Sequence, residues 1–189
     1  MRKLKLQSQI SVDGFIARPE GELDWMTWNW DHELKKYVGD LHDSVDTILL
    51  GKKMTEGFIS YWSDIVTNKP GSAEYPFAKK ILDIPKVVFA KTLGNYSWAN
   101  TKLAKGDIVE EVIQLKKQSG KGMIVYGVSG FASSLIKNNL IDEYHLFINP
   151  SVLGKGLSIF SSVEDVRNLK LVQSKAFTCG IVVNQYEPK

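Results

Sequence analysis

Two stretches of this chain place a glycine and a helix start directly after an apolar run, and both suit a phosphate. Met123 to Tyr126 reads as a buried strand running into Gly127-Val128-Ser129-Gly130, where a helical pattern opens. Free backbone N–H groups and a helix dipole then converge on one point, which favours an anion. Upstream, Thr47 to Leu50 is a short apolar strand ending at Gly51, and Lys52 and Lys53 add cations to the same geometry. Two such turns on one sheet suggest a ligand with separated phosphates, such as a dinucleotide.

The elements that must hold these turns follow from periodicity. Leu4, Leu6 and Ile10 alternate with polar residues, the pattern of a strand. Val12-Asp13-Gly14-Phe15 is a turn signal of the plain hairpin kind. Asp31 can cap a helix in which Leu34, Tyr37, Val38 and Leu41 share a face. Lys53 to Tyr61 reads as helix, Asn68 to Ser72 as loop, and Phe77 to Leu82 as a short helix stopped by Pro85. Lys86 to Ala90 is a β-branched strand. Asp107 and Glu110 have capping-box spacing ahead of Val112, Ile113 and Leu115, and Gly120 can end that helix. Ser129 can cap the next helix, which ends near Asn138-Asn139. Tyr144 to Ile148 is a further strand, and Leu169 to Phe177 and Ile181 to Tyr186 form a terminal hairpin.

Strands alternate with helices and then follow one another at the end. The expected fold is α/β: a three-layer αβα sandwich around a mostly parallel mixed sheet with antiparallel C-terminal strands. Ligands of such sheets bind beyond the carboxyl ends of the strands. Gly51, Ala90 and Gly127 all stand at such ends and should line one rim.

Composition narrows the function. The chain has 189 residues, 43% of them hydrophobic, enough for a single domain spanning 1–189 with a full core. A net charge of +3, spread along the chain, argues against a nucleic-acid partner. The pairs Lys35-Lys36, Lys79-Lys80 and Lys116-Lys117 read as solvated helix faces. One cysteine, Cys179, rules out an internal disulfide and a multi-cysteine zinc site, and His32, His42 and His145 lack ligand spacing, so no metal is expected. No apolar run is long enough for a membrane and no signal-peptide core follows Met1; the expectation is a cytoplasmic protein.

VDGFIA followed by LDW, then LLGKKMTEGFISYW, KVVFAKTL, the Tyr126-Gly127 turn and LIDEYHLFINPSVLGKG occur in this order over nearly the whole chain. The chain resembles the dihydrofolate reductase-like superfamily. Within it, the similarity is to the branch of the C-terminal reductase domain of the bifunctional riboflavin-biosynthesis deaminase/reductase. The last string is specific to that branch. The zinc deaminase partner is missing, since no H-x-E with a following P-C-x-x-C appears. The resemblance implies the fold, NADPH as hydride donor and often a homodimer. It implies an oxidoreductase acting on a small heterocyclic or carbonyl substrate, such as a pterin or a riboflavin-pathway aminouracil ribosyl compound.

Carried over by position, the resemblance puts cofactor phosphate at Gly51, Lys52, Lys53 and Met54. It puts the adenosine ribose and its 2′-phosphate at Ala90, Lys91 and Thr92. The turn of Tyr126, Gly127, Val128, Ser129, Gly130 and Phe131 would lie under the pyrophosphate and nicotinamide, with Ile16 and Ala17 closing the nicotinamide side. Asp31 and Glu33 are the carboxylates nearest the position from which relatives protonate a pterin, although Asp31 reads first as a plain N-cap. Asp24 is a weaker candidate for that acid. Trp25, Trp28 and Trp30 could stack on a flat substrate, or fill core or interface. Lys155, in the Gly154-Lys155-Gly156 turn, could meet a substrate phosphate or be merely solvated.

The sequence departs from the family pattern at three places. Met54 stands where Thr is usual, Val128 where a second Gly is common, and Lys52 where Arg is usual. A second reading stays open beside the reductase: a nucleotide-binding protein that kept the fold and lost the chemistry. Gly127 itself is expected to be glycine so that phosphate can approach, and Gly127→Val to harm cofactor binding more than folding.

Overall fold

The computed structural model describes residues 1–90, 98–127 and 130–189. Lys91, Thr92, Val128 and Ser129, four of the expected cofactor residues, lie outside them.

The order is β1 (Leu4–Ile10), α1 (His32–Asp43), β2 (Val45–Gly51), α2 (Lys52–Asn68), α3 (Tyr75–Asp83), β3 (Lys86–Phe89), β4 (Thr101–Ala104), α4 (Ile108–Lys117), β5 (Gly122–Tyr126), α5 (Phe131–Lys137), β6 (Glu143–Ile148), β7 (Leu169–Ala176) and β8 (Val182–Pro188). One 8-stranded sheet runs β4-β3-β2-β5-β1-β6-β8-β7. Strands β4 through β6 in that order are parallel, while β8 pairs antiparallel with both β6 and β7. The mixed sheet with an antiparallel C-terminal edge is the fold expected.

Alternation of side chains divides the core. Leu4, Leu6, Leu49, Met123 and Val125 pack with Val112 of α4 and Ala132, Leu135 and Ile136 of α5. From the other face, Ile48, Leu50 and Ile124 meet Leu41 of α1 and Ile81 of α3. Phe147 and Val183 meet Leu34 and Val38 of α1 there. Helices therefore cover both faces.

Local chemistry ends the helices where it should. Asp31 Oδ1 accepts from Leu34 N at 2.8 Å and opens α1. Asp107 Oδ1 accepts from Val109 N and Glu110 N and opens α4. Beyond Asp83, the amine of buried Lys86 donates to the carbonyls of Leu82 and Ile84 at 2.9 and 2.6 Å, closing α3.

Several expectations need correction. Strand β4 was not expected; TKLA has no apolar run to announce it. Helix α2 extends to Asn68, well past Tyr61, because Ile65 is buried and Trp62 packs edge-on against Phe77 of α3. The residue capping α5 is Gly130, at φ 92 with no side-chain hydrogen bond, not Ser129. Lys116 is not solvated: it is 7% exposed and pairs with Asp142 Oδ2 at 2.6 Å. Asp13-Gly14 is not a hairpin between strands. Its carboxylate accepts from Ser11 Oγ, Leu153 N and Gly154 N, locking the turn to the loop at residues 153–154. These bonds hold the Asp13 carboxyl below its usual range, Ser11 foremost.

Candidate functional site

Parallel pairing brings the carboxyl ends of β3, β2 and β5 side by side, with Gly51 opposite Phe89 and Leu49 opposite Val125. A cleft of about 270 Å³ opens there. Its walls include Gly51, Lys52, Lys53, Met54, Ala90, Tyr126 and Phe131, all named from sequence. Leu49, Phe89, Ala104, Lys105, Gly106 and Ile108 complete it. The last four come from β4 and the turn into α4; without β4, nothing in the sequence carried them to this rim.

Three helix starts face this end of the sheet, and their electrostatics differ. Helix α4 is filled by its own carboxylate, Asp107, with Glu110 and Glu111 in its first turn. Glu111 also takes the N–H of Gly106 at 3.1 Å. Helix α5 spans only seven residues. Helix α2 starts at Gly51 with no side-chain cap and no acid in its first turn, and begins Lys52-Lys53. Its dipole and both lysines therefore present positive potential to the cleft. Among the described lining residues stand three lysines, Lys52, Lys53 and Lys105, and no carboxylate.

Met54 lines the cleft and packs on the core beneath it. Thr55, one residue on, does not restore the missing hydroxyl: it is buried and donates to the Gly51 carbonyl at 3.0 Å.

Packing by itself requires both glycines. A Cβ on Gly51 would stand 2.7 Å from Phe131 Cβ. Phe131 packs in turn on Phe89, the two rings tilted by 35° with centroids 4.8 Å apart. A Cβ on Gly127 would stand 2.5 Å from Ser8 Cβ and 3.2 Å from Ser8 Cα, and nearer still to Ser8 Oγ. The expectation that Gly127→Val harms binding more than folding is therefore corrected: β1 and β5 meet too closely there for a side chain.

Tyr126 joins the cleft to the interior. Its hydroxyl meets His42 Nε2 at 2.8 Å, and His42 Nδ1 meets the Val38 carbonyl at 2.7 Å. A carbonyl only accepts, so Nδ1 carries the proton and Nε2 accepts from the phenol. The imidazole is neutral, its pKa pushed down to about 4, mainly by burial. Burial likewise pushes the Tyr126 phenol up. Neither group is poised to exchange protons with a ligand near neutral pH.

Other sequence candidates stand apart from the cleft walls. Asp31 has both oxygens engaged: Leu34 N on Oδ1, and Thr178 Oγ1 and Cys179 N on Oδ2 at 2.7 and 3.1 Å. These donors, Leu34 N first, hold its carboxyl at about 2, so it carries no proton to give near neutral pH. Ile16 and Ala17 are buried, and Ala17 bridges to Leu157. Lys155 is exposed in the turn that Asp13 holds. Trp28 is 64% exposed and stacks on Trp30, which stacks on Phe147. Trp25 is 9% exposed, and its carbonyl accepts from Ser151 Oγ at 3.2 Å.

Among the described residues, no helix is long and apolar enough to cross a membrane, and no group of three or more His, Cys, Asp or Glu is placed to hold a metal ion.

Comparison with known proteins agrees with this architecture. A family model described as the RibD C-terminal domain matches residues 2–183. The uncharacterized protein YyaP of Bacillus subtilis (strain 168) is 32% identical over 182 residues, covering 96% of this chain and 92% of that protein. A crystal structure from Shewanella sp. PV-4 superposes with a TM-score of 0.72 at 20% identity, covering 100% of this chain and 99% of the other. The diaminohydroxyphosphoribosylaminopyrimidine deaminase/5-amino-6-(5-phosphoribosylamino)uracil reductase of Thermotoga maritima gives 0.66 at 17% identity. It covers 100% of this chain, which spans 57% of that one. Both likenesses carry the fold.

Proposed function

We propose, from the premise that this chain belongs to the RibD C-terminal domain family, that it is an NADPH-dependent reductase of a small heterocyclic or carbonyl substrate. The relative from Thermotoga maritima is by name a reductase of an aminouracil ribosyl compound, and the oxidoreductase reading rests on that kinship. The observation that carries the cofactor is the cleft: three lysines, an uncapped helix start and no carboxylate among its described walls. That set fits a polyanion bearing an apolar ring system, which Phe89, Phe131 and Met54 can cover.

When bound, the cofactor supplies the hydride. The chain's own residues bind, orient and exclude water. Lys52 and Lys53 hold phosphate at the start of α2, and Lys105 adds charge from the opposite wall. Tyr126 and Phe131 set the floor over which the ring lies. Neutral His42 fixes the Tyr126 ring from behind.

A cation on a phosphate contributes about 1.5–3 kcal/mol, roughly tenfold to a hundredfold in affinity. NADPH should therefore bind at least about tenfold tighter than NADH, and Lys53→Ala and Lys105→Ala should each weaken NADPH by a similar factor. Fluorescence titration of both nucleotides decides it. Equal affinities would remove the 2′-phosphate preference, and no binding of either at millimolar concentration would end the reductase reading.

The alternative of a nucleotide-binding protein without chemistry draws on Met54, where a phosphate-facing hydroxyl is missing. Binding of NADPH with no oxidation against any flat lactam or carbonyl substrate would favour it.

A homodimer belongs to the same proposal. Edge strand β7 is exposed on both faces, with Leu171 51% and Val172 47% exposed on successive positions. Exposed apolar side chains on an edge strand invite pairing. Light scattering at micromolar concentration should give twice the chain mass of 21.2 kDa, and Leu171→Glu with Val172→Lys should give monomers. A monomeric parent would contradict the proposal.

A further inference from the structure

We infer that Gln7, Gln9 and Trp25 form the recognition site for an uncharged amide or lactam edge of the substrate, beside the cofactor cleft. The inference rests on the reductase reading and specifies what that reading leaves open.

The three residues share an unusual property. Gln7 Oε1, Gln9 Nε2 and Trp25 Nε1 are buried and have no hydrogen-bond partner among the described residues. Gln7 is 8% exposed and Trp25 9%. A buried polar atom without a partner is costly, and a fold retains few of them. Three in one neighbourhood need a reason.

Their neighbourhood is set by strand register. Gln7 and Gln9 lie two apart on β1 and so point to the same face. Gln7 sits opposite Tyr126 on one side and His145 on the other. Tyr126 lines the cleft, so Gln7 is next to it. Gln9 sits opposite Phe147, on which Trp30 and then Trp28 stack. Asn149 joins Gln9 to the tryptophan segment. Its Oδ1 accepts from Thr27 N at 2.9 Å and its Nδ2 donates to Gln9 Oε1 at 2.7 Å. Ser151, two residues on, holds the Trp25 carbonyl.

These bonds also fix which way Gln9 faces. Thr27 N–H needs an acceptor, and the Phe147 carbonyl, 3.1 Å from Asn149 Nδ2, needs a donor. Asn149 can satisfy both in one orientation only. It then offers Gln9 a donor, so Gln9 Oε1 turns to Asn149 and Nε2 turns away with its protons available. The Trp25 indole is a donor and nothing else. The set offers two N–H groups and one amide carbonyl.

That set complements a neutral ring edge with carbonyl acceptors and a ring N–H. It contains no charge, and Asp31, the carboxylate expected to meet the substrate, is consumed as a helix cap. The exposed face of Trp28 beside it suits a flat ring.

The test uses quinazoline-2,4-dione, a flat uncharged bis-lactam, titrated calorimetrically into protein saturated with NADP⁺. The 1,3-dimethyl derivative, which lacks both N–H donors, is the control. The dione should bind the parent, and the dimethyl derivative about tenfold or more weaker. Gln7→Met, Gln9→Met and Trp25→Phe should each weaken the dione by about tenfold, with NADP⁺ affinity unchanged. The melting temperatures of Gln7→Met and Trp25→Phe should hold or rise, because each removes a buried group that lacks a partner, whereas Gln9→Met also gives up the bond from Asn149 Nδ2 and is read by affinity alone. A purely structural role would instead lower them. The inference is overturned if the dione fails to bind the parent, if it binds all three variants as well as the parent, or if methylation changes nothing. Failure of NADP⁺ to bind is a separate result: it sinks the cofactor reading, and the dione titration without nucleotide still decides this one.

Discussion

Gly127→Val should cost the fold about 3 kcal/mol, enough to lower the melting temperature by many degrees whether or not nucleotide is present. The new Cβ would stand 2.5 Å from Ser8 Cβ and 3.2 Å from Ser8 Cα. The second is a strand backbone atom in the middle of the sheet and cannot swing aside. Gly127 N also donates to the Gln7 carbonyl at 2.7 Å, so the turn cannot retreat without breaking that bond. Relief has to come from Ser8. Ser8→Gly removes the two nearest atoms, so Gly127→Ala with Ser8→Gly should recover much of what Gly127→Ala loses alone. Such non-additivity is the signature of a direct contact. Ser8 Oγ has no partner among the described residues, so Ser8→Ala alone should be close to neutral. Denaturant titration of the parent, Gly127→Ala, Ser8→Gly and the double variant checks the coupling, and the same titration of Gly127→Val and Ser8→Ala checks the rest. A Gly127→Val protein as stable as the parent, with NADPH binding lost, would restore phosphate approach as the reason for the glycine.

This glycine shows how far the sequence reaches. Gly51 and Ala90 are cleft walls and Gly127 is not among them, but its position at the end of an apolar strand was legible, because strand ends and turn glycines are local signals. The reason for it was not, since Ser8 lies more than a hundred residues away in sequence and meets Gly127 only through β1–β5 pairing. Strand β4 escaped for another reason. Thr101-Lys102-Leu103-Ala104 is short and half polar, and pairing with β3 makes it a strand. With it went Lys105 and Gly106, the far wall of the cleft. Alternation in β1 was read correctly as strand. Both faces are covered: Gln7 is only 8% exposed. The polar positions of that strand are the ones that carry the substrate inference. Asp31 was visible as a cap from sequence, but its second set of bonds, from Thr178 and Cys179, needed the terminal hairpin in place.

The stability of this protein should fall by about 3 kcal/mol as pH drops from 6.5 to 4, and His42 should be responsible. His42 is 2% exposed. Its ring accepts from the Tyr126 hydroxyl, donates to the Val38 carbonyl and sits edge-on to Phe77 at 4.9 Å. A proton added at Nε2 would turn the Tyr126 hydroxyl from donor to acceptor and put a charge in a buried site. The folded pKa is accordingly about 4, against 6.5 when exposed, with burial the main cause. Between those values the unfolded chain binds a proton that the folded chain refuses, so stability rises with pH across the window. Above pH 6.5 the slope should vanish. Carboxylates act lower: Glu143, held below its usual 4.5 chiefly by His145, and Asp31, at about 2, lose their contributions only as pH falls beneath the ordinary carboxyl range. Most of the drop between pH 6.5 and 4.5 therefore reports His42. Denaturant unfolding at half-unit pH intervals should show the slope in the parent and lose it in His42→Gln, which keeps a donor and an acceptor without a titrating ring. A parent protein with constant stability across that interval would mean that His42 is protonated in the folded state, and the Tyr126–His42 bond would then have to run the other way.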